Sequence, residues 1–346
     1  MNNVTSLAID LAKNVFQLHG TNAAGKVILK KKVVRSKLLE TIINMPSCNI
    51  YMEACGSANY WGRKFEEMEH KVKLINPKYV KPYVKRNKND MNDAAGIAAA
   101  ARDPDMRFCA VKSEAQQDMQ SLHRIRSLLI QQRTALVNQI RGLLAEYGIA
   151  IPQGISKVRN YLAEIAGDTK KLSIVLIECL NMLYDNLNNL DEKISFYDKR
   201  INILFKGNEV YKCLATIPGI GKLGATILGS ALGNGSSFKN GRHFAAFLGL
   251  VPRQHSSGSK ERLLGISKGG DTYIRTLLIH GARAVLLWLG KKTDNQSNWL
   301  RDLIARRGSN KAAVALANRM ARTAWALVRG NCDYDPNYKP TPTKTV

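Results

Sequence analysis

Asp10 closes a short apolar run, SLAID, and Glu53 closes another, NIYME. Asp90 and Asp93 stand three residues apart in KNDMNDAAG, a spacing that puts both on one face of a helix. Two strand-end carboxylates and a helical pair can hold two hard divalent cations, which stabilise the attacking and leaving oxygens of a phosphoryl transfer. The competing reading is structural, because Asp is a preferred helix cap and a common turn residue. Spacing alone does not separate the two. A second candidate is Arg253-Gln-His-Ser-Ser-Gly-Ser259. A serine there, among Arg253, His255, Arg262 and Lys268, can attack a phosphodiester while the cations stabilise the pentacoordinate charge. Read blandly, the same stretch is a Ser/Gly loop on a basic surface, and His255 lines a groove instead of acting as a base. A third motif, Ile217-Pro-Gly-Ile-Gly-Lys222, runs into an apolar helix signal ending at Leu232. This is a helix-hairpin-helix-like pattern, in which glycines admit a phosphate and a helix N-terminus favours it, with Lys222 alongside.

These side chains need elements to carry them. Leu7–Ile9, Val15–His19, Val27–Val34, Asn49–Glu53 and Val72–Ile75 read as strands. Stretches near 36–44 and 57–69, and the Ala-rich Asp90–Arg102, read as helices. Three early strands followed by strand–helix alternation predict a mixed sheet covered by helices. The middle of the chain is helical. Leu122, Leu129, Leu136 and Leu143 recur every seven residues, and Leu176, Leu183, Leu190 and Tyr197 are each followed four residues on by Leu180, Leu187, Ile194 and Ile201. The second set is an a/d seam. Gly148, Pro152 and Gly154 separate the sets, so two long antiparallel helices are expected, as a dimerising coiled coil or as a plain bundle core. Helices are expected again from about 271 to 329, followed by a disordered tail at 331–346.

Charge narrows the function classes. The 346 residues include 52 Lys and Arg against 27 Asp and Glu, a net charge of +25, with 45% hydrophobic residues. That hydrophobic share excludes a disordered basic chain. The self-repulsion of so much positive charge calls for a polyanionic partner, nucleic acid ahead of a membrane surface. By segment the balance is +8 over 1–115, +2 over 116–205 and +15 over 206–346. Arg275 and the arginines that follow it read as phosphate contacts. No run of about 18 apolar residues suggests a membrane span, and the N-terminus lacks the pattern of a signal peptide. Six scattered cysteines without a CxxC pair fit a reduced, cytoplasmic chain without a zinc site. Asp10 is followed by Leu-Ala-Lys with no glycine turn, and no Walker loop occurs, which disfavours a kinase.

SLAIDLAKNVFQLHG, YMEACGSANYW, the INP at 75–77 and NKNDMNDA resemble the N-terminal half of the DEDD transposases of bacterial insertion sequences. TIPGIGKLGATIL, FAAFLGLVPRQHSSGSK and GISKGGDTYIRTLLIHGARAVL resemble their C-terminal domain, and the match runs in order over about residues 5–330. The resemblance implies an α/β plus all-α chain. It would comprise a RuvC-like, RNase H-fold mixed-sheet domain (1–115), a helical coiled-coil dimerisation segment (116–205) and a mainly helical transposase domain (206–330). It implies that Asp10, Glu53, Asp90 and Asp93 bind Mg²⁺ or Mn²⁺, and that Ser257, just before the glycine of the SG pair, is the nucleophile. Asn89 stands where Thr is commoner, and Ser256 is a neighbouring hydroxyl. The implied activity is DNA strand exchange for excision and integration of an insertion sequence through a phosphoserine–DNA intermediate. The implied partners are donor and target DNA, a structured guide RNA from the element, and further copies of the chain as a dimer or tetramer. The implied setting is the bacterial cytoplasm, at the nucleoid. Two alternatives stay open. One is a metal-dependent junction-resolving nuclease in which Ser257 is a loop residue; the other is a non-catalytic nucleic-acid-binding protein whose acids cap turns.

Overall fold

The computed structural model describes residues 3–84, 90–165, 172–258, 261–291 and 293–335, with only the backbone described for Asp90, Ile165 and Lys291. The chain divides into two compact units, Met1–Gln116 and Gln117–Val346.

The first unit is a sheet with helices on both faces. Its elements are β1 (Ser6–Asp10), β2 (Val15–Thr21), β3 (Val27–Val34), α1 (Leu38–Ile43), β4 (Asn49–Glu53), α2 (Ala58–Glu66), β5 (Lys71–Ile75), α3 (Pro77–Val80), α4 (Asp90–Ala100) and β6 (Phe108–Cys109). The sheet order is β3-β2-β1-β4-β5-β6. The first three strands pair antiparallel, β1–β4 and β4–β5 pair parallel, and β6 returns antiparallel. Parallel neighbours need crossovers, and α1 and α2 supply them. Alternation along the strands decides the layers. Leu7, Ile9, Ile50 and Met52 pack with Leu38, Ile42, Trp61 and Phe65 of α1 and α2. Ala8 and Ile75 face the other way and pack with Ile97 and Ala98 of α4. The five strands expected from the sequence are all present. β6 and α3, of two and four residues, are too short to register as a period.

Among its described residues the second unit is helical apart from one hairpin. Its elements are α5 (Glu114–Ala145, beginning just before the boundary), α6 (Ile155–Ile165), α7 (Ile174–Lys206), α8 (Glu209–Ala215), α9 (Lys222–Leu232), α10 (Gly241–Phe247), β7 (Pro252–Gln254), β8 (Leu263–Ile266), α11 (Thr272–Leu287), α12 (Asn295–Arg307) and α13 (Ser309–Gly330). Arg126 of α5 pairs with Asp198 of α7 at 2.5 Å, and Arg133 with Asp191 at 2.7 Å. One number rises as the other falls, so the two long helices run antiparallel. Packed with them is a third helix, α6, which follows the expected break at Gly148–Gly154 and which the sequence reading did not include. Its one-turn pair Val158 and Leu162 is buried against Val137, Ile140, Leu144, Leu180 and Leu187.

The heptads resolve on the same evidence. Leu180, Leu187, Ile194 and Ile201 are buried within a single chain, and the upper part of that row belongs to this three-helix core. Leu183, Leu190 and Tyr197 are half-buried, as are Leu122, Leu129, Leu136 and Leu143. In α5 the buried line is instead Met119, His123, Val137, Ile140 and Leu144.

The remaining helices surround α13, whose Ala312, Ala313, Leu316, Ala317, Met320, Ala321 and Ala324 are buried with Ile274, Leu278 and Ala282 of α11. The turn before α9 docks on α11. Gly219 has φ +89°, and a Cβ at Gly281 would collide with its carbonyl oxygen. That glycine of the hairpin-like motif therefore makes room for the protein's own helix. Past α13, Asn331 caps the helix in the left-handed region and Tyr334 packs partly buried on the helical core; 336–346 lie outside the described residues. Among the described residues, no helix is long and apolar enough to cross a membrane.

Candidate active site

Two assemblies carry the candidate chemistry, one in each unit. In the first, β1 and β4 lie side by side in parallel with Ile9 opposite Met52. The residues that follow, Asp10 and Glu53, therefore end neighbouring strands in the same direction. Each stands two residues beyond a side chain of the α4-covered core, Ala8 and Tyr51, so both carboxylates share that face. The electrostatics agree. Burial does most to raise the Cys55 thiol pKa, and the charges of Glu53 and then Asp10 raise it further. α4 crosses this face over β1 and β2. It carries Asp93 four residues before Ile97, which is fully buried, so Asp93 stands on the sheet-facing flank. Asp90 opens α4, but its side chain, like Asn89, lies outside the described residues. Among the described residues no three His, Cys, Asp or Glu side chains close into a metal cluster. Asp10 and Glu53, with Asp93 on the overlying helix, are the hard oxygen donors that an Mg²⁺-type ion takes.

The sequence did not single out His19. It lies directly opposite Ala8 on the same face, buried, with its pKa lowered by burial, then by Lys30 and Arg102. Only its neighbours in the fold distinguish it from any strand histidine.

In the second assembly, β7 and β8 form an antiparallel hairpin pairing Pro252 with Ile266 and Gln254 with Leu263, extended by a bond from His255 N to Arg262 O at 3.0 Å. Ser257 lies in its tip. Arg253, His255, Ser256, Ser257, Arg262 and Lys268 are all exposed. The two hydroxyls differ: Ser256 Oγ accepts from Gln254 Nε2 at 3.0 Å, whereas Ser257 Oγ has no partner among the described residues. The hairpin root is fixed. Four successive carbonyls accept hydrogen bonds: Leu248 from Arg275 Nη1 (3.1 Å), Gly249 from Lys268 N (3.1 Å), Leu250 from Asn318 Nδ2 (3.1 Å) and Val251 from Ser267 N (2.8 Å). Gly270 lets the two ends meet, since a Cβ there would collide with Phe247 O.

Arg275 is thus a correction to the sequence reading. It is 7% exposed, and its guanidinium also binds Gly270 O and Thr272 Oγ1. A buried guanidinium committed to backbone carbonyls contacts no phosphate. Lys222 is exposed, but its ammonium donates to Asn202 Oδ1 at 2.8 Å and lies over the Phe205 ring.

Two family models match the chain. One, described as a transposase and built on DEDD enzymes of IS110 elements, covers residues 7–149; the other, for the transposase IS116/IS110/IS902 family, covers 211–298. A probable family 20 transposase of Pseudomonas aeruginosa is 44% identical, over 96% of this chain and 99% of its own length. The transposase for insertion sequence element IS1111A of Coxiella burnetii is 47% identical, over 95% and 90% respectively. The chain belongs to the IS116/IS110/IS902 transposase family. A third relative, the transposase for element IS1328 of Yersinia enterocolitica, is 38% identical over 94% of this chain.

As a member of this family the transposase is an enzyme of DNA recombination that acts on DNA to move an insertion sequence, which sets aside the non-catalytic reading. Its mixed sheet and helical remainder fit an RNase H-like DEDD transposase, and the DEDD domain points to dependence on a divalent metal. The transposase also contains a polar cluster with no sequence signature. His123 Nδ1 meets Tyr273 Oη and its Nε2 meets Thr226 Oγ1, both at 2.9 Å, joining α5 to α11 and α9.

Proposed function

We propose that the transposase exchanges DNA strands by a serine mechanism supported by carboxylate-bound Mg²⁺. Asp10, Glu53 and Asp93, with Asp90, would hold the ion, which when bound supplies positive charge at the scissile phosphate. The observation that carries this reading is the convergence of Asp10 and Glu53 on one sheet face under the helix of Asp93, in a chain of DEDD type. Ser257 Oγ attacks phosphorus. An Oγ–P bond forms as the P–O bond to one deoxyribose breaks, and the proton lost by the serine is balanced by one taken up by the leaving oxygen. Because the phosphoserine link keeps a phosphoester bond, resealing to a second strand needs no ATP. Among the described residues the Ser257 hydroxyl has no partner while that of Ser256 is engaged, which supports this choice. Arg253, His255, Arg262 and Lys268 supply cations around it. The basic C-terminal segment binds nucleic acid, with the open turn at Gly221–Lys222 leading into α9 as a helix-hairpin-helix-like contact. A structured RNA of the element selects donor and target by base pairing, and more than one protomer acts because exchange cuts several strands.

The test is incubation of the protein with the element's RNA and matched DNA, scoring covalent protein–DNA adduct and recombinants. Ser257→Ala should abolish both while Ser256→Ala retains them, and Asp10→Asn should abolish both unless the metal reading is wrong. Cleavage without any adduct would favour the junction-resolving nuclease. Target choice that survives RNase treatment would refute the guide RNA.

A further inference from the structure

The row that holds the two strand-end carboxylates continues across the sheet. β2 runs antiparallel to β1 and sets Gln17 directly opposite Asp10; β3 runs antiparallel to β2 and sets Lys32 directly opposite Gln17. Residues paired in this way point to the same face. Phe16 and Leu18, on either side of Gln17, are buried in the core under α1 and α2. Gln17 and Lys32 therefore point to the other face, the one that carries the carboxylates. Glu53, Asp10, Gln17 and Lys32 form one polar row over four adjacent strands, at the end of the sheet where β1 and β4 finish. We propose that Gln17 and Lys32 bind the DNA strand beside the scissile phosphate. Gln17 donates its amide to a phosphate oxygen, and Lys32 neutralises a phosphate farther along the strand. The assignment rests on Asp10 and Glu53 holding the metal ion at the cut.

The row changes character along its length, from two carboxylates through a neutral amide to an ammonium. A DNA strand carries a negative charge at every phosphate, so it lies over carboxylates only where a cation screens them and is attracted again at Lys32. An acid at position 17 would prolong the repulsion, whereas the amide offers two N–H donors to an anion. Both groups are available. Lys32 is exposed on an edge strand and Gln17 is half-buried; among the described residues the amide has no hydrogen-bond partner and the ammonium no ion pair. One row deeper, the same four strands carry Tyr51, Ala8, His19 and Lys30. There Ala8 packs in the core with α4 and His19 is only 7% exposed, so a DNA strand can follow the upper row and not the lower. Spacing fits a strand of DNA. Two strand intervals separate Asp10 from Lys32, about 10 Å, which is about three nucleotides of helical rise. Lys32 therefore meets a phosphate within about three nucleotides of the cut.

Binding tests these contacts without catalysis. The full chain carrying Ser257→Ala, with the element's RNA, is titrated with matched DNA in which single phosphates are replaced in turn by neutral methylphosphonates. Lys32→Ala should weaken binding to unmodified DNA about tenfold and lower the slope of log affinity against log salt by about one. One methylphosphonate, within about three nucleotides of the element's end where the strand is cut, should weaken the Lys32 protein by a similar factor. The same methylphosphonate should cost the Lys32→Ala protein nothing, because both changes remove one contact. A second position, nearer the cut, should behave in this way toward Gln17→Ala, and Gln17→Glu should bind more weakly than Gln17→Ala. Lys31→Ala removes the same charge from the opposite face of β3 and should couple to no phosphate. Far-ultraviolet spectra and melting should match the parent, since neither side chain is fully buried. Losses that simply add at every position, coupling to Lys31 as strong as to Lys32, or coupling only at phosphates remote from the cut would overturn the proposal. Coupling in a transposase that forms no adduct, or that still recombines with Asp10→Asn, would sink the serine or the metal reading and leave these contacts standing.

Discussion

His123 is 1% exposed, and burial, reinforced by the charge of Arg126, pulls its pKa down to about 4 from 6.5. The unfolded chain therefore binds a proton between those values that the folded chain refuses. Stability contributed by neutral His123 is complete above pH 6.5 and is lost as pH falls toward 4. Between pH 7 and 5 the loss is about 2 kcal/mol. Urea melts at the two pH values should show His123→Gln losing less stability on acidification than the parent by about that amount; equal losses would contradict the assignment. Arg275 makes a contrasting case. Arg275→Ala strands two carbonyls at the hairpin root and should cost about 1–3 kcal/mol. Arg275→Lys should recover only part, because an ammonium cannot reproduce the forked geometry. If the side chain gripped phosphate, the lysine variant would instead melt normally and keep its DNA affinity. The sequence could not reveal this arginine's role. It sits among arginines that read alike, and its two carbonyl partners, 22 residues apart at 248 and 270, meet only in the fold. Asp10 and Glu53 were legible as strand ends because each closes a short apolar run, but their common face follows only from the parallel pairing of β1 and β4.

At the scale of elements, α7 shows what periodicity can and cannot convey. The seven-residue repeat identified a long helix with a buried row, but not which chain buries it. Leu187, fully buried in the three-helix core, should cost about 3 kcal/mol when changed to alanine. Half-buried Leu183, one turn away, should cost clearly less, and denaturant midpoints of the two variants would test the order. α6 escaped the sequence reading because two buried positions one turn apart are too few to establish a period just after Gly148, Pro152 and Gly154. The hairpin β7–β8 escaped it for a different reason. Its strands are exposed along nearly their whole length, so no alternation of apolar and polar residues marks them.

Across the whole molecule the charge of +25 is the dominant long-range property. If the transposase neutralises six to ten phosphates, its DNA affinity should fall by about 10³–10⁵-fold between 50 and 200 mM salt. Arg253→Ala and Arg262→Ala should each lower the slope of log affinity against log salt by about one; Arg275→Lys should leave it unchanged. The anchored root has a mechanical corollary. With the carbonyls of Leu248, Gly249, Leu250 and Val251 all engaged, the hairpin cannot slide along its base or swing there without breaking several bonds at once. It behaves as a cantilever built into the helical core. If Ser257 is the nucleophile as proposed, any travel it makes toward a phosphate is bending beyond the His255–Arg262 pair, so its reach is set by the length of the tip past that pair.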